Sequence, residues 1–218
     1  MLVVIVPAYN EAERIGRVLR DLFEHDCKNV LVVDDGSSDA TARVAKEAGA
    51  AVIRHALNRG QGAALETGNE WARQQGAEVV VHFDGDGQHE ASDIAPAIAV
   101  LREHNLDAVL GSRFLGVRSR VPFLKRVLIL PVSRLVNYIF TGVLLSDAHN
   151  GFRVLGSRSL HSICIRQDGM AHNSEIVAEL KARGFRFAEV PVRVTYHEFG
   201  QGIEGGIKII WNLILSYL

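Results

Sequence analysis

Two aspartates separated by one glycine, Asp84 and Asp86, are the residues of this 218-residue chain whose types and spacing point most directly to chemistry. They follow residues 79–83, a run with three consecutive valines of the kind that forms a strand covered on both faces. Residues i and i+2 of an extended segment share a side, so the two carboxylates are expected to converge on one point, joined by the amide oxygen of Gln88. Such oxygens suit Mg2+ or Mn2+, which bind through few protein ligands and the phosphates of a substrate. The plain alternative is an acidic turn that caps the next helix. What separates the two readings is where the other polar residues fall.

The elements that must position this pair repeat one rhythm. Residues 2–6 are a β-branched run closed by Pro7, and Asn10 then precedes Glu11 and Glu13 in the expected first turn of a helix reaching about residue 23. A second strand, 29–33, ends in Asp34-Asp35-Gly36, followed by a helix over 40–48 with Gly49 at its stop. A third strand, 51–54, leads through Asn58-Arg59-Gly60-Gln61-Gly62 into a helix over 63–75. After the central strand, Ser92 or Asp93 caps a helix with Pro96 in its first turn, and 107–110 is the fifth strand. This alternation predicts a mostly parallel α/β sheet with helices on both faces, whose ligands bind beyond the carboxyl ends of the strands. Tyr9-Asn10-Glu11, Asp34-Asp35, Asn58-Arg59-Gly60 and Asp84-Gly85-Asp86 all fall there, which favours the metal. Neither a Walker A loop nor a G-x-G-x-x-G fingerprint is present, so a P-loop NTPase or a nicotinamide enzyme is not expected.

The second half is chemically different. Between residues 108 and 146 there is no acidic residue but six basic ones, Arg113, Arg118, Arg120, Lys125, Arg126 and Arg134, interleaved with apolar residues. Pro131, Arg134 and Asn137 argue against a spanning helix, and an amphipathic segment at a membrane surface fits better than a core helix with a solvated basic face. The chain returns in a turn holding Asp147, a strand over 151–155, a helix over 173–183 carrying Glu175, and strands over 187–190 and 192–196. The tail, 207–218, is apolar apart from Lys208, Asn212 and Ser216. Asp147 and Glu175 are candidate bases or sugar-hydroxyl ligands, against the plainer roles of a turn aspartate and a solvated helix glutamate. His82, His89, His149 and His172 lack ligand spacing and read as structural or pocket-lining.

Composition sets the outer bounds. With 48% hydrophobic and 22% charged residues the chain is ordinary globular material, expected as one domain over 1–218. A net charge of −1 excludes bulk attraction to nucleic acid. Cys27 and Cys164 lack metal-ligand spacing and read as reduced thiols of a cytoplasmic protein. The start has no basic n-region, so no signal peptide is expected.

Taken in order, Ile5-Val6-Pro7-Ala8-Tyr9-Asn10-Glu11, Val33-Asp34-Asp35-Gly36-Ser37-Ser38-Asp39, Asp84-Gly85-Asp86 and Asp147-Ala148-His149-Asn150-Gly151-Phe152-Arg153 resemble the family 2 glycosyltransferases of the GT-A (Rossmann-like) fold. Within that family the chain is similar to the polyisoprenyl-phosphate branch, that of the dolichyl-phosphate mannose synthases, over about residues 2–198. The resemblance implies a nucleotide-sugar half (2–111), a basic acceptor and membrane segment (112–146), an acceptor half (147–206) and an apolar tail (207–218). By the same resemblance Pro7, Tyr9 and Glu11 line the nucleotide pocket and Asp35 accepts from the base. Asp84, Asp86 and Gln88 hold Mg2+ or Mn2+ on the donor diphosphate, and Arg113 faces an acceptor phosphate, with Arg126 and Ser133 beside it. Departures are Gly85 where alanine is commoner, Gln61 where a lysine is expected, and a loop after Tyr196 without a basic residue, leaving Lys208. The Gln-x-x-Arg-Trp motif of processive synthases is absent.

The expectation is an inverting, metal-dependent transfer of one sugar from a UDP- or GDP-sugar to a polyisoprenyl phosphate, by a protein peripheral to the cytoplasmic face of the membrane. The alternatives are transfer to a saccharide or other hydroxyl, and a non-catalytic nucleotide-sugar-binding subunit of a membrane complex. A membrane-protein partner or self-association is compatible with each.

Overall fold

The computed structural model describes residues 1–115, 138–139, 141–147 and 150–195. Most of the basic segment, the loop after residue 195 and the apolar tail, with Arg126, Ser133, His149 and Lys208, lie outside them.

The buried β-branched runs form the sheet. Strands β1 (Leu2–Ala8), β2 (Val30–Asp34), β3 (Ala51–Arg54), β4 (Val79–His82), β5 (Ala108–Ser112), β6 (Arg153–Gly156) and β7 (Phe187–Pro191) stand in the order β3-β2-β1-β4-β6-β5-β7. All pairings are parallel except those of β6 with β4 and β5. Among the described residues six helices cover it: α1 (Ile15–Glu24), α2 (Thr41–Glu47), α3 (Gln61–Gln74), α4 (Ile94–Glu103), α5 (Ser157–Ser162) and α6 (His172–Ala182). Strand alternation splits the core in two. Val4, Val6 and Val81 face α1, α2 and α4, while Val3, Ile5 and Val80 face α3, α5 and α6. Gly68 of α3 lies against Ile5, where a Cβ would come within 2.3 Å of Cγ2. That close approach brings the start of α3 to the carboxyl edge of β1.

Several expectations are corrected. β1 runs through Pro7 to Ala8, because its register with β4 stops at Ile5 opposite His82 and no ladder bond is lost at the proline nitrogen. α1 begins at Ile15, so Glu11 and Glu13 precede it: Asn10 adopts φ +54°, and the N–H groups of residues 10–12 bond to side chains of the next loop. The expected strand over 192–196 makes, in its described residues 192–195, one isolated bridge, Val194 to His89. Among the described residues no helix is long and apolar enough to cross a membrane.

Candidate active site

A cavity of about 430 Å³ opens beyond the carboxyl ends of β1, β2 and β4. Pro7, Tyr9, Glu11, Asp35, Asn58, Gly60, Asp84 and Asp86 line it. Gln61 and Met170 also border it.

The walls are built by side chains bonding to backbone. Asn10, Glu11 and Ala12 donate their N–H groups to Ser37 Oγ (2.9 Å), Thr41 Oγ1 (2.8 Å) and Asp39 Oδ2 (3.1 Å). Asp35, 3% exposed, accepts the N–H of Arg59 (3.0 Å) and His55 Nδ1 (2.7 Å) on Oδ1, and the N–H of Gly60 (2.7 Å) on Oδ2. The carboxylate expected to read a base is thus largely committed to hanging the 58–60 loop. It shapes the cavity through that loop. Gly60, at φ +105°, occupies a conformation open to glycine.

β4 ends at His82, so Asp84 and Asp86 lie in the turn beyond it, and this turn, rather than strand alternation, brings both to the cavity. Gln61 Nε2 donates to Asp84 Oδ1 (2.8 Å), and His89 Nε2 lies 3.3 Å from Oδ2. Gly151 backs the same carboxylate, at a distance where a Cβ would meet Oδ2 at 2.2 Å. Asp86 Oδ1 accepts the N–H of Gln88 (3.0 Å). Gln88 is not among the residues lining the cavity, and the side-chain amide that reaches Asp84 belongs to Gln61.

Burial pushes the Asp84 carboxyl up, but the His89 hydrogen bond and the Arg153 charge outweigh it and hold the group below its ordinary range. Burial first, then the Asp84 charge, leaves Asp86 above its ordinary range. Glu11 is likewise raised, by burial and the neighbouring Asp86. A divalent cation relieves such crowding of anions. Among the described residues no cluster of three His, Cys, Asp or Glu side chains could hold a metal alone. The two carboxylates therefore fit a hard ion whose shell is completed by phosphate oxygens and water.

Beneath Asp84 lies a buried polar cluster. Arg153, 2% exposed, donates Nη2 to Asn173 Oδ1, and burial lowers its pKa to about 10 despite Asp84 and Asp147. His82 donates Nε2–H to Asn69 Oδ1 (2.8 Å), and His172 donates Nδ1–H to the Gly169 carbonyl (2.7 Å). Burial, then the Arg153 charge, pushes these imidazoles down to about 3 and about 4. Arg153 is the cation, and the histidines are neutral.

The expected acceptor residues do not line the cavity. Arg113, just past β5, donates Nε (2.6 Å) and its backbone N–H (3.0 Å) to Asp147 Oδ2, and Nη2 to Oδ1 (2.7 Å). Burial pushes the Asp147 carboxyl up, but Arg113 outweighs it and holds the group below its ordinary range. Asn150 Nδ2, 3.4 Å from Asp147 Oδ2, precedes the glycine that backs Asp84, so ion pair and acidic pair are neighbours. Glu189, which sequence reasoning missed, accepts the N–H groups of Ser146 and Asp147. Glu175 accepts those of Arg166 (3.0 Å) and Gln167 (2.9 Å), holding a loop.

Comparisons with known proteins bear on the family and the fold. The pattern of "Glycosyl transferase family 2" matches residues 3–162. The UDP-N-acetylglucosamine–dolichyl-phosphate N-acetylglucosaminyltransferase of Methanococcus voltae is 29% identical, across 99% of this chain and 95% of its own. The polyprenol monophosphomannose synthase of Mycolicibacterium smegmatis is 28% identical, across 94% of this chain and 82% of its own. Among solved structures, glucosyl-3-phosphoglycerate synthase of Mycobacterium tuberculosis, in complex with Mn2+, UDP-glucose and phosphoglyceric acid, superposes with a TM-score of 0.70 at 17% identity. It covers 99% of this chain and 79% of that one. The likeness establishes the fold.

Proposed function

From the premise that the chain belongs to glycosyl transferase family 2, with the GT-A fold and the activity of a nucleotide-sugar glycosyltransferase, we propose that it transfers one sugar to a polyisoprenyl phosphate at the cytoplasmic face of the membrane. Both relatives described above carry names for transfer to a polyprenyl or dolichyl phosphate.

One observation carries the choice of acceptor. The carboxylates that stood as candidate bases are both engaged, Asp147 by Arg113 and Glu175 by the backbone of residues 166–167. A sugar hydroxyl must lose a proton as it attacks, which calls for a free, positioned base. A phosphate monoester, with a second pKa of about 6, arrives already ionised. It needs cations to hold it, and Arg113, oriented by Asp147, stands beside the acidic pair.

In this reading the cavity takes the nucleotide-sugar, its diphosphate at Asp84 and Asp86 and its nucleoside towards Tyr9, Asp35 and Asn58. Asp84 and Asp86 would hold Mg2+ or Mn2+. When bound, that ion supplies Lewis-acid stabilisation of the departing nucleoside diphosphate. Gln61, His89 and Gly151 fix the Asp84 carboxylate from three sides. Arg113 presents the acceptor oxygen to the anomeric carbon from the face opposite the leaving group, so the configuration inverts.

The test offers the protein a polyisoprenyl phosphate and a saccharide hydroxyl acceptor, with UDP- and GDP-sugars and Mn2+. Transfer to the phosphate, lost in Arg113→Ala, is expected. Transfer to the saccharide with the lipid phosphate inert would overturn the reading.

A further inference from the structure

The segment that Glu175 holds crosses beneath the cavity wall. Residues 165–170 form a strap fixed at each step. Ile165 donates its N–H to Glu66 Oε2 (2.7 Å), and Arg166 and Gln167 donate theirs to Glu175. The Gly169 carbonyl takes His172 Nδ1–H. Against the wall, the Asp168 carbonyl accepts the N–H of Gly62 (2.8 Å). The packing is tight enough that a Cβ on Gly60 would lie 2.3 Å from the Asp168 oxygen, and one on Gly62 1.9 Å from the Gln167 oxygen.

This frame places the one long, flexible apolar side chain among the cavity's lining residues, whose other aliphatic members are Pro7, Ala8 and Ala64. Met170 is 59% exposed and lines the cavity with Gln61, Asp84 and Asp86. It lies between Asp168, which bonds to Gly62, and His172, whose Cβ would be 3.0 Å from a Cβ on Gly62. Met170 thus shares the cavity lining with Gln61, whose amide reaches Asp84. In a nucleotide-sugar the sugar is bonded to the outer phosphate, so it lies beyond a diphosphate held at Asp84 and Asp86. Tyr9 and Asn58 border the part assigned to the nucleoside.

We propose that Met170 is a specificity-determining residue that touches the donor's sugar, and that Glu175 is the positioning residue that holds it there through the strap. This rests on the cavity being the donor site. The unbranched, polarisable thioether gives a sugar's C–H face, or an apolar substituent on it, a contact that the surrounding carboxylates and amide do not. A fixed backbone under a flexible side chain makes that contact adaptable in shape while keeping it in the site.

Discrimination by one methylene in such a contact amounts to about 10–200-fold. Met170→Ala removes more than that, and about a tenfold change is expected in the ratio of kcat/KM between two sugars on one nucleotide. Affinity for the free nucleotide should stay within about twofold, because Met170 does not touch it. The experiment uses UDP-glucose with UDP-N-acetylglucosamine, GDP-glucose with GDP-mannose, and free UDP and GDP, all with Mn2+. A wild type that binds none of the four nucleotide-sugars defeats the donor-site reading and this inference with it. A wild type that binds them, with a Met170→Ala ratio unchanged within twofold, overturns the inference alone. Glu175→Gln keeps an oxygen for the strap N–H groups and should keep the wild-type ratio, whereas Glu175→Ala should reproduce the Met170→Ala shift. A uniform loss of kcat in Glu175→Gln, equal for every donor, would make Glu175 a base and refute its positioning role.

Discussion

Gly151→Ala should separate folding from function at Asp84. Gly151 does not adopt a left-handed φ, so its backbone accepts alanine. The new Cβ, however, would lie 2.2 Å from Asp84 Oδ2 and 2.5 Å from Oδ1. Carbon and oxygen at ordinary contact stand about 3.5 Å apart, so the carboxylate must retreat by about 1 Å. It is the end of a side chain outside the strand, so the fold should lose no more than about 1 kcal/mol, a melting shift of about 2–4 °C at this size. The same retreat takes Asp84 away from Gln61 Nε2, now at 2.8 Å, and from its place in the cavity lining. A misplacement of about 1 Å in a reacting constellation costs about 100-fold in rate, or about 2.7 kcal/mol of transition-state binding. Manganese binding followed by electron paramagnetic resonance, sugar transfer and thermal melting are read together. If Gly151→Ala binds Mn2+ and turns over within twofold of wild type, Asp84 is not the metal carboxylate held by these neighbours.

Asp86→Ala should abolish metal-dependent turnover and weaken Mn2+ binding while the protein stays folded, and unchanged titrations would remove Asp86 from the site. Gly62→Ala drives a Cβ against the Gln167 carbonyl at 1.9 Å, so it should cost about 1–3 kcal/mol of stability and weaken donor binding, seen in denaturant melts and calorimetry. The neutral buried imidazoles of His82 and His172, pushed down to about 3 and about 4 by burial and Arg153, predict acid sensitivity. Folded-state pKa values below the ordinary value near 6.5 mean that the stability is complete above that pH. It is lost as pH falls from about 6.5 towards 4, at about 1.4 kcal/mol per unit and histidine. His172→Gln should roughly halve that slope in urea melts between pH 7 and 4.5, and an unchanged slope would refute the assignment. Six basic residues between 108 and 146, each worth about 1 kcal/mol near an anionic surface, predict binding to phosphatidylserine vesicles at low salt that is released as salt rises. Absence of low-salt co-sedimentation would remove the membrane from the proposal.

What the sequence made legible was what local chemistry decides. Val3–Val6, Leu31–Val33 and Val79–Val81 are buried strand cores because β-branched runs bounded by polar turns have few other stable places. The carboxyl-edge rule then brings Tyr9, Asp35, Asn58 and Asp84 to one cavity from four separate loops. It fails where the deciding contact is distant. β6 is four residues long, and its antiparallel place between β4 and β5 depends on pairing with residues 79–82 and 108–110, which no local pattern encodes. α5 spans six residues, fewer than two turns, too short for a hydrophobic period to declare itself.

The site residues divide by the same principle. Asp84 was singled out in the sequence because carboxylate spacing is a local signal, and it lines the cavity. Gln88 was expected beside the pair on strand alternation, which stops at His82, and in the turn that follows its backbone N–H bonds to Asp86. Glu175 and Asp147 were offered as bases because a carboxylate is visible in sequence while its partners are not. Those partners, the N–H groups of residues 166–167 and the Arg113 guanidinium, lie up to 34 positions away. The signal for the strap was nonetheless present in Gly60-Gln61-Gly62. Two glycines flanking one polar residue are what a loop needs when another backbone must press against both and leave one side chain facing the site. Asp168 and Gln167 supply that backbone, and Gln61 is the side chain left facing Asp84.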